Sequence, residues 1–179
     1  MIRYALFPYV PKRHLSRASF EEMALHYMIL GFKDGYNVYT RWAVRQFALA
    51  MAEMDLHGVA IACIPASTRY SHVRRWKRFA DSLCRMTGAV NGFPHVHVSG
   101  SRSRVHITGD RSESQNIKHY VDIEHGFFRG RTVIVIDDIC TTGQTSLAFV
   151  EALRNAGATV PMVICLAKTK PYGSIGVPY

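Results

Sequence analysis

The chain has 179 residues, 48% of them hydrophobic and 20% charged, which suits one domain with its own core and excludes a disordered polymer. No apolar run approaches the roughly 18 residues that a membrane-spanning helix needs. The net charge of +9 points to an anionic partner, either a phosphorylated small molecule or a nucleic acid.

Residues 1–18 are aromatic and basic, and Pro8 and Pro11 interrupt them, so irregular structure is expected there. The apolar part of this stretch is too short and too aromatic for a secretory leader, which makes a cytoplasmic setting the expectation. Ser19 followed by Glu22 reads as a capping box, opening a helix with Phe20, Met23, Ala24, Tyr27 and Met28 on one face and ending near Gly31. A second helix is expected from about Thr40, with Ala43, Phe47, Ala50, Met51 and Met54 on its apolar side.

Gly58 to Ile64 reads as a buried strand, the first of a parallel sheet, running into a turn of small residues from Pro65 to Arg69. A helix from about Ser71 to Thr87 keeps Val73, Trp76, Ala80, Leu83 and Cys84 on one side, and Gly88 stops it. Its other side carries Arg74, Arg75, Lys77 and Arg78. Such a face is usually solvated; with Tyr70 and Trp76 interleaved, single-stranded nucleic acid is the alternative. His95 and His97 alternate on a short strand with no acid at ligand spacing in the sequence, so no zinc site is expected. The polar stretch 99–120 is longer than an ordinary connection and reads as a functional loop.

The most informative stretch is Arg131 to Gly157. Val133 to Ile136 form a buried strand that breaks into two adjacent carboxylates, Asp137 and Asp138. The turn Thr141-Thr142-Gly143-Gln144-Thr145 then opens a helix on Leu147, Val150 and Leu153 that closes at Gly157. A helix start offers unpaired N–H groups and partial positive charge, and so suits a phosphate. Two carboxylates would repel that phosphate; they fit the hydroxyls of an attached sugar or a metal-bound group instead. Neither GxxxxGK[ST] nor GxGxxG occurs, which sets aside the Walker and dinucleotide loops. Thr159 to Ala167 reads as a further strand, paired on one side at its start because of Pro161. The four cysteines (Cys63, Cys84, Cys140 and Cys165) form no CxxC pair and read as reduced thiols.

VIVIDDICTTGQT resembles the phosphoribosyl-pyrophosphate (PRPP) signature of type I phosphoribosyltransferases, and the TTG variant with CLAK on the next strand is most similar to the competence-protein-F (ComF-like) group. The cysteine-rich zinc module of many ComF-like chains has no counterpart here. The resemblance implies a three-layer α/β fold, with a mostly parallel central sheet flanked by helices. Residues 1–57 would be a helical hood or packing extension, and 58–179 the core. It implies that Asp137 and Asp138 face the ribose and, indirectly, Mg²⁺, while Thr141, Thr142, Gly143, Gln144 and Thr145 hold the 5′-phosphate. It places the pyrophosphate at Ala66, Ser67, Thr68 and Arg69, with Arg102 and Arg104 as the first-choice cations of a closing loop. Lys168 and Tyr172 would touch the base.

The implied reaction is phosphoribosyl transfer from PRPP to a nitrogenous acceptor. An accessory protein on the same scaffold, binding PRPP, nucleotides or DNA, is the other reading. Expected partners are PRPP, a small acceptor, single-stranded nucleic acid on the second reading, and a second copy in a homodimer, with no membrane. The 6-oxopurine enzymes carry an aspartate where this chain has Thr141, which argues against hypoxanthine and guanine, and no orotate or uracil signature is recognisable.

Overall fold

In the computed structural model, residues 1–99 and 120–169 are described. Five parallel strands form the central sheet in the order β1 (Ile2–Tyr9), β7 (Thr159–Thr169), β6 (Thr132–Cys140), β2 (Ala60–Cys63), β3 (Val90–Asn91). The helices are α1 (Phe20–Lys33), α2 (Asn37–Ala50), α3 (Arg69–Thr87), the single turn α4 (His125–Phe128) and α5 (Gln144–Asn155). An antiparallel pair, β4 (Val96–Val98) and β5 (Val121–Ile123), stands apart from the sheet.

Alternation along the strands produces two cores. Ile61, Ile134, Ile136, Ile164 and Leu166 pack against Phe32, Phe47, Trp76 and Phe79 of α1, α2 and α3. Their neighbours Ala60, Ala62, Val133, Val135 and Val163 pack against Phe149, Val150 and Leu153 of α5 and against the β4–β5 pair. Each fully buried Phe or Leu side chain contributes roughly 1.5–3 kcal/mol relative to exposure. The result is the expected three-layer α/β arrangement, with helices covering both faces of a parallel sheet.

Local chemistry sets the helix starts. The Ser19 hydroxyl accepts from the Glu22 amide at 3.2 Å and the Glu22 carboxylate accepts from the Ser19 amide at 3.0 Å, which closes the expected capping box. Gly31 lets the Tyr39 ring lie directly on the α1 backbone, where a methyl group would collide with it. As expected, residues 159–161 lie outside the β1 pairing, which begins at Met162.

Residues 2–9 depart from the expected irregular lead-in. They form edge strand β1, in register with Met162 to Thr169. Pro8 is tolerated because an edge strand bonds on one side only, so its missing donor can face away from the ladder. Residues 12–17 form a short 3₁₀ helix.

Candidate functional site

The crossover β2–α3–β3 runs over one face of the sheet and β6–α5–β7 over the other, so the direction in which strands are added across the sheet reverses between β2 and β6. Open parallel sheets bind ligands at the C-terminal ends of strands at such a switch point. There the Ile64 amide donates to the Ile136 carbonyl at 2.9 Å, and the two turns singled out in the sequence, 65–69 and 141–145, leave the sheet side by side.

Strand β6 continues through Cys140, beyond the apolar run, so alternation sends the two aspartates to opposite faces. Asp137 turns towards α5: its Oδ1 accepts from the Asp138 amide at 2.9 Å and its Oδ2 from the Ser146 hydroxyl at 3.2 Å. Burial, and next the neighbouring Asp138 charge, push the Asp137 carboxyl well above the usual carboxylate range. Asp138 turns towards α3: its Oδ1 accepts from the Ile139 amide at 2.7 Å and its Oδ2 lies 2.7 Å from Arg75 Nη1. The latter is an ion pair by distance, without the N–H aligned on that oxygen. Both aspartates are only 7% exposed, so the expectation of two carboxylates side by side at one ribose gives way to a split pair.

The threonine–glycine turn has the expected character. Thr141 and Thr142 are exposed, and Gly143 adopts φ 76°, a left-handed conformation suited to glycine. Gly143 caps α5 through its carbonyl, which accepts from Leu147 at 3.0 Å, and no side chain caps the helix start. Gln144 and Thr145 form the first turn of α5. A hollow of about 440 Å³ opens beside this turn, lined by Arg3, Tyr4, Thr141, Thr142, Ser146 and Lys168 among others. Lys168 stands opposite Cys140 in the β6–β7 ladder.

In the turn after β2, Ala66 is buried, and Ser67 and Arg69 are exposed. Thr68 caps α3, its hydroxyl accepting from the Ser71 amide at 3.1 Å. The described residues, this turn included, contain no cis peptide and no non-glycine residue at positive φ. Arg102, Arg104 and Tyr172 lie outside the described residues.

Two site residues escaped the sequence reading. Arg75, grouped there with the solvated face of α3, turns inward: besides Asp138, its Nε donates to the Lys33 carbonyl at 3.0 Å. The available signal was its place one residue before Trp76 and three after His72, at the edge of the buried face. His72 is buried, stacked on Phe93 at 5.0 Å, with neither ring nitrogen hydrogen-bonded. Burial, and then the Arg75 charge, lower the His72 pKa from 6.5 to about 4.

A histidine kept neutral by the fold adds stability that is fully present above pH 6.5 and is lost as pH falls from there towards 4. The loss expected is roughly 3 kcal/mol, from about 1.4 kcal/mol per pKa unit. Denaturant melts of wild type and His72→Phe between pH 4 and 7 check this. The wild-type slope should flatten in the variant, and parallel curves would refute the assignment.

Beside β4 and β5 the structure supplies the acid that sequence spacing did not show. Glu124 accepts from His95 Nδ1 at 2.7 Å and His97 Nε2 at 2.8 Å, and these two hydrogen bonds hold its carboxyl below the usual range. Among the described residues no group of three metal-binding side chains occurs.

Comparison with known proteins bears on this geometry. The phosphoribosyl transferase domain family matches residues 91–173. An orotate phosphoribosyltransferase of Natronomonas pharaonis is 57% identical over 118 residues, covering 66% of this chain and 51% of that protein. The orotate phosphoribosyltransferase of Staphylococcus saprophyticus is 35% identical over 78 residues, covering 44% of this chain and 38% of that protein. The chain thus spans about half or less of the length of these relatives. Among solved structures, Leishmania donovani UMP synthase superposes with a TM-score of 0.45 at 17% identity, over 74% of this chain and 23% of that one. A phosphoribosyltransferase from Corynebacterium diphtheriae gives 0.42 at 14% identity, over 85% and 99%. The span matched by the phosphoribosyl transferase domain family contains the acidic pair, the threonine–glycine turn and β7.

Proposed function

We propose that the chain transfers the 5-phosphoribosyl group of PRPP to a nitrogenous base and releases pyrophosphate. The observation that carries this reading is the pairing, at one switch point, of an α5 start without a side-chain cap on a threonine–glycine turn with the carboxylate of Asp138. In the reaction the C1–O bond breaks with its electron pair leaving on pyrophosphate. The acceptor nitrogen donates its lone pair to C1, and any proton on that nitrogen passes to solvent.

The protein's share is positioning and electrostatics. Thr141, Thr142, Gly143, Gln144 and Thr145 would hold the 5′-phosphate, and Asp138 would face the ribose and the positive charge developing there. Asp137 would act from beneath through the Asp138 backbone. The turn from Ala66 to Arg69 would receive the pyrophosphate, with Ser67 and Arg69 on its open side. Arg102 and Arg104 stay assigned to a closing loop, and Lys168 and Tyr172 to the base. Mg²⁺, when bound, would neutralise the pyrophosphate, its contact with Asp138 passing through water.

Orotate is the acceptor to test first, since the curated relatives bear that name. Thr141 disfavours 6-oxopurines. Residues 1–57 serve as a packing extension more than a hood, because β1, α1 and α2 share the core of β2, β6 and β7. Four free cysteines are compatible with a reducing, cytoplasmic setting. The competence-type accessory reading rests on the ComF-like turn and on Arg74, Lys77, Arg78 and Arg85, which border a groove of about 460 Å³.

Pyrophosphate release from Mg²⁺-PRPP across orotate, uracil, adenine, hypoxanthine and guanine tests the proposal. Release is expected with orotate and not with the 6-oxopurines. Silence with every base, alongside salt-dependent binding of single-stranded DNA, would favour the accessory reading.

A further inference from the structure

The threonine–glycine turn contains no cationic side chain, yet a sugar phosphate brings two negative charges at neutral pH. Tertiary structure delivers a cation from the far end of the sequence. Register places Arg3 of β1 beside Val163 of β7, and Ala5 of the same strand packs into the core on the α5 side. The Arg3 guanidinium reaches the turn: a methyl group built on Gly143 would stand 2.8 Å from Nη1 and 3.6 Å from Cζ. Arg3 also lines the 440 Å³ hollow together with Thr141, Thr142 and Ser146.

The electrostatics of this placement need an explanation. A helix start carries partial positive charge, so a cation set against it is unfavourable unless an anion lies between them. Among the described residues no carboxylate stands within ion-pair distance of Arg3. Arg3 and the helix start thus converge on one hollow, which Lys168 also lines, with no acid among its described lining residues. Resting on the phosphoribosyl reading above, we propose that Arg3 is a charge-bearing residue of the phosphate pocket. It would bind the dianionic 5-phosphate of a phosphorylated pentose jointly with the α5 amides. The planar guanidinium suits a phosphate bidentately, which a lysine at the same place would not reproduce.

The experiment is calorimetric titration of ribose 5-phosphate, and separately Mg²⁺-PRPP, into wild type, Arg3→Ala, Arg3→Lys and Arg41→Ala. Arg41 is an exposed residue of α2, on the opposite face of the sheet, and its loss controls for net charge. Arg3→Ala should weaken ribose 5-phosphate about ten- to a hundredfold, as expected for a lost charged hydrogen bond. Arg3→Lys should fall between, and Arg41→Ala should stay within about twofold of wild type. Because Arg3 is exposed on an edge strand, the variants should melt with wild type, and Arg3→Lys keeps the test alive if alanine perturbs β1. If wild type binds and Arg3→Ala matches Arg41→Ala, Arg3 has no such role while the phosphoribosyl reading stands. If wild type binds neither ribose 5-phosphate nor PRPP, that reading and the Arg3 assignment fall together.

Discussion

Asp138→Asn should abolish the rise in melting temperature produced by Mg²⁺-PRPP, whereas Asp137→Asn should keep most of it. At a hundredfold excess over Kd the ligand adds about 2.7 kcal/mol. For a domain of this size that is worth about 5–10 °C. The two aspartates are neighbours in sequence and not equivalent in chemistry. Asp137 is buried under α5, its carboxyl already pushed up by desolvation and by the Asp138 charge, so an isosteric amide there removes little. Asp138 sits at the α3 side of the sheet end, paired with Arg75, and is the carboxylate a ribose at the switch point would meet. Replacing both should behave as Asp138→Asn alone. A ligand shift that survives in the double variant would move the site elsewhere, and one lost only in Asp137→Asn would reverse the assigned roles.

The second large effect concerns stability. Arg75→Ala should cost about 3–5 kcal/mol, the range seen when one partner of a buried ion pair is removed. The side chains of Arg75 and Asp138 are 11% and 10% exposed, so water cannot take over from the lost guanidinium. Arg75 also satisfies the Lys33 carbonyl at the end of α1, tying α1, α3 and β6 together. Arg74 and Asp34, 3.3 Å apart but 39% and 56% exposed, provide the contrast: Arg74→Ala should cost at most about 1 kcal/mol. Combining Arg75→Met with Asp138→Asn should recover much of the loss, because no buried charge is then left alone. Urea melts of wild type and these three variants decide it. A cost for Arg75→Ala as small as that for Arg74→Ala would mean that the pair is not buried in solution.

Much of the molecule was legible in local patterns. The buried strand from Val133, the Ser19 capping box, and glycines after α3 and α5 at φ 74° and 88° are encoded within a few residues each. Such features depend on hydrophobic period and on backbone conformations that single residue types favour. The threonine–glycine turn was equally local, because a helix start without a side-chain cap and a left-handed glycine need nothing from elsewhere in the chain.

Long-range pairing was not legible. An eight-residue strand carrying a proline looks irregular until β7 offers it an edge, and only that pairing brings Arg3 to Gly143 across 140 positions of sequence. Arg75 looked like one more surface cation until the end of β6 supplied its carboxylate. His95 and His97 lacked an acid until β5 set Glu124 between them. The sequence by itself determined the main helices, strands β2, β6 and β7, the two turns and the acidic pair, since these follow from short-range backbone and helix-end physics. Tertiary structure alone decided which face each carboxylate takes and which distant cations meet it, because electrostatic partners are chosen by strand order and helix packing, not by spacing along the chain.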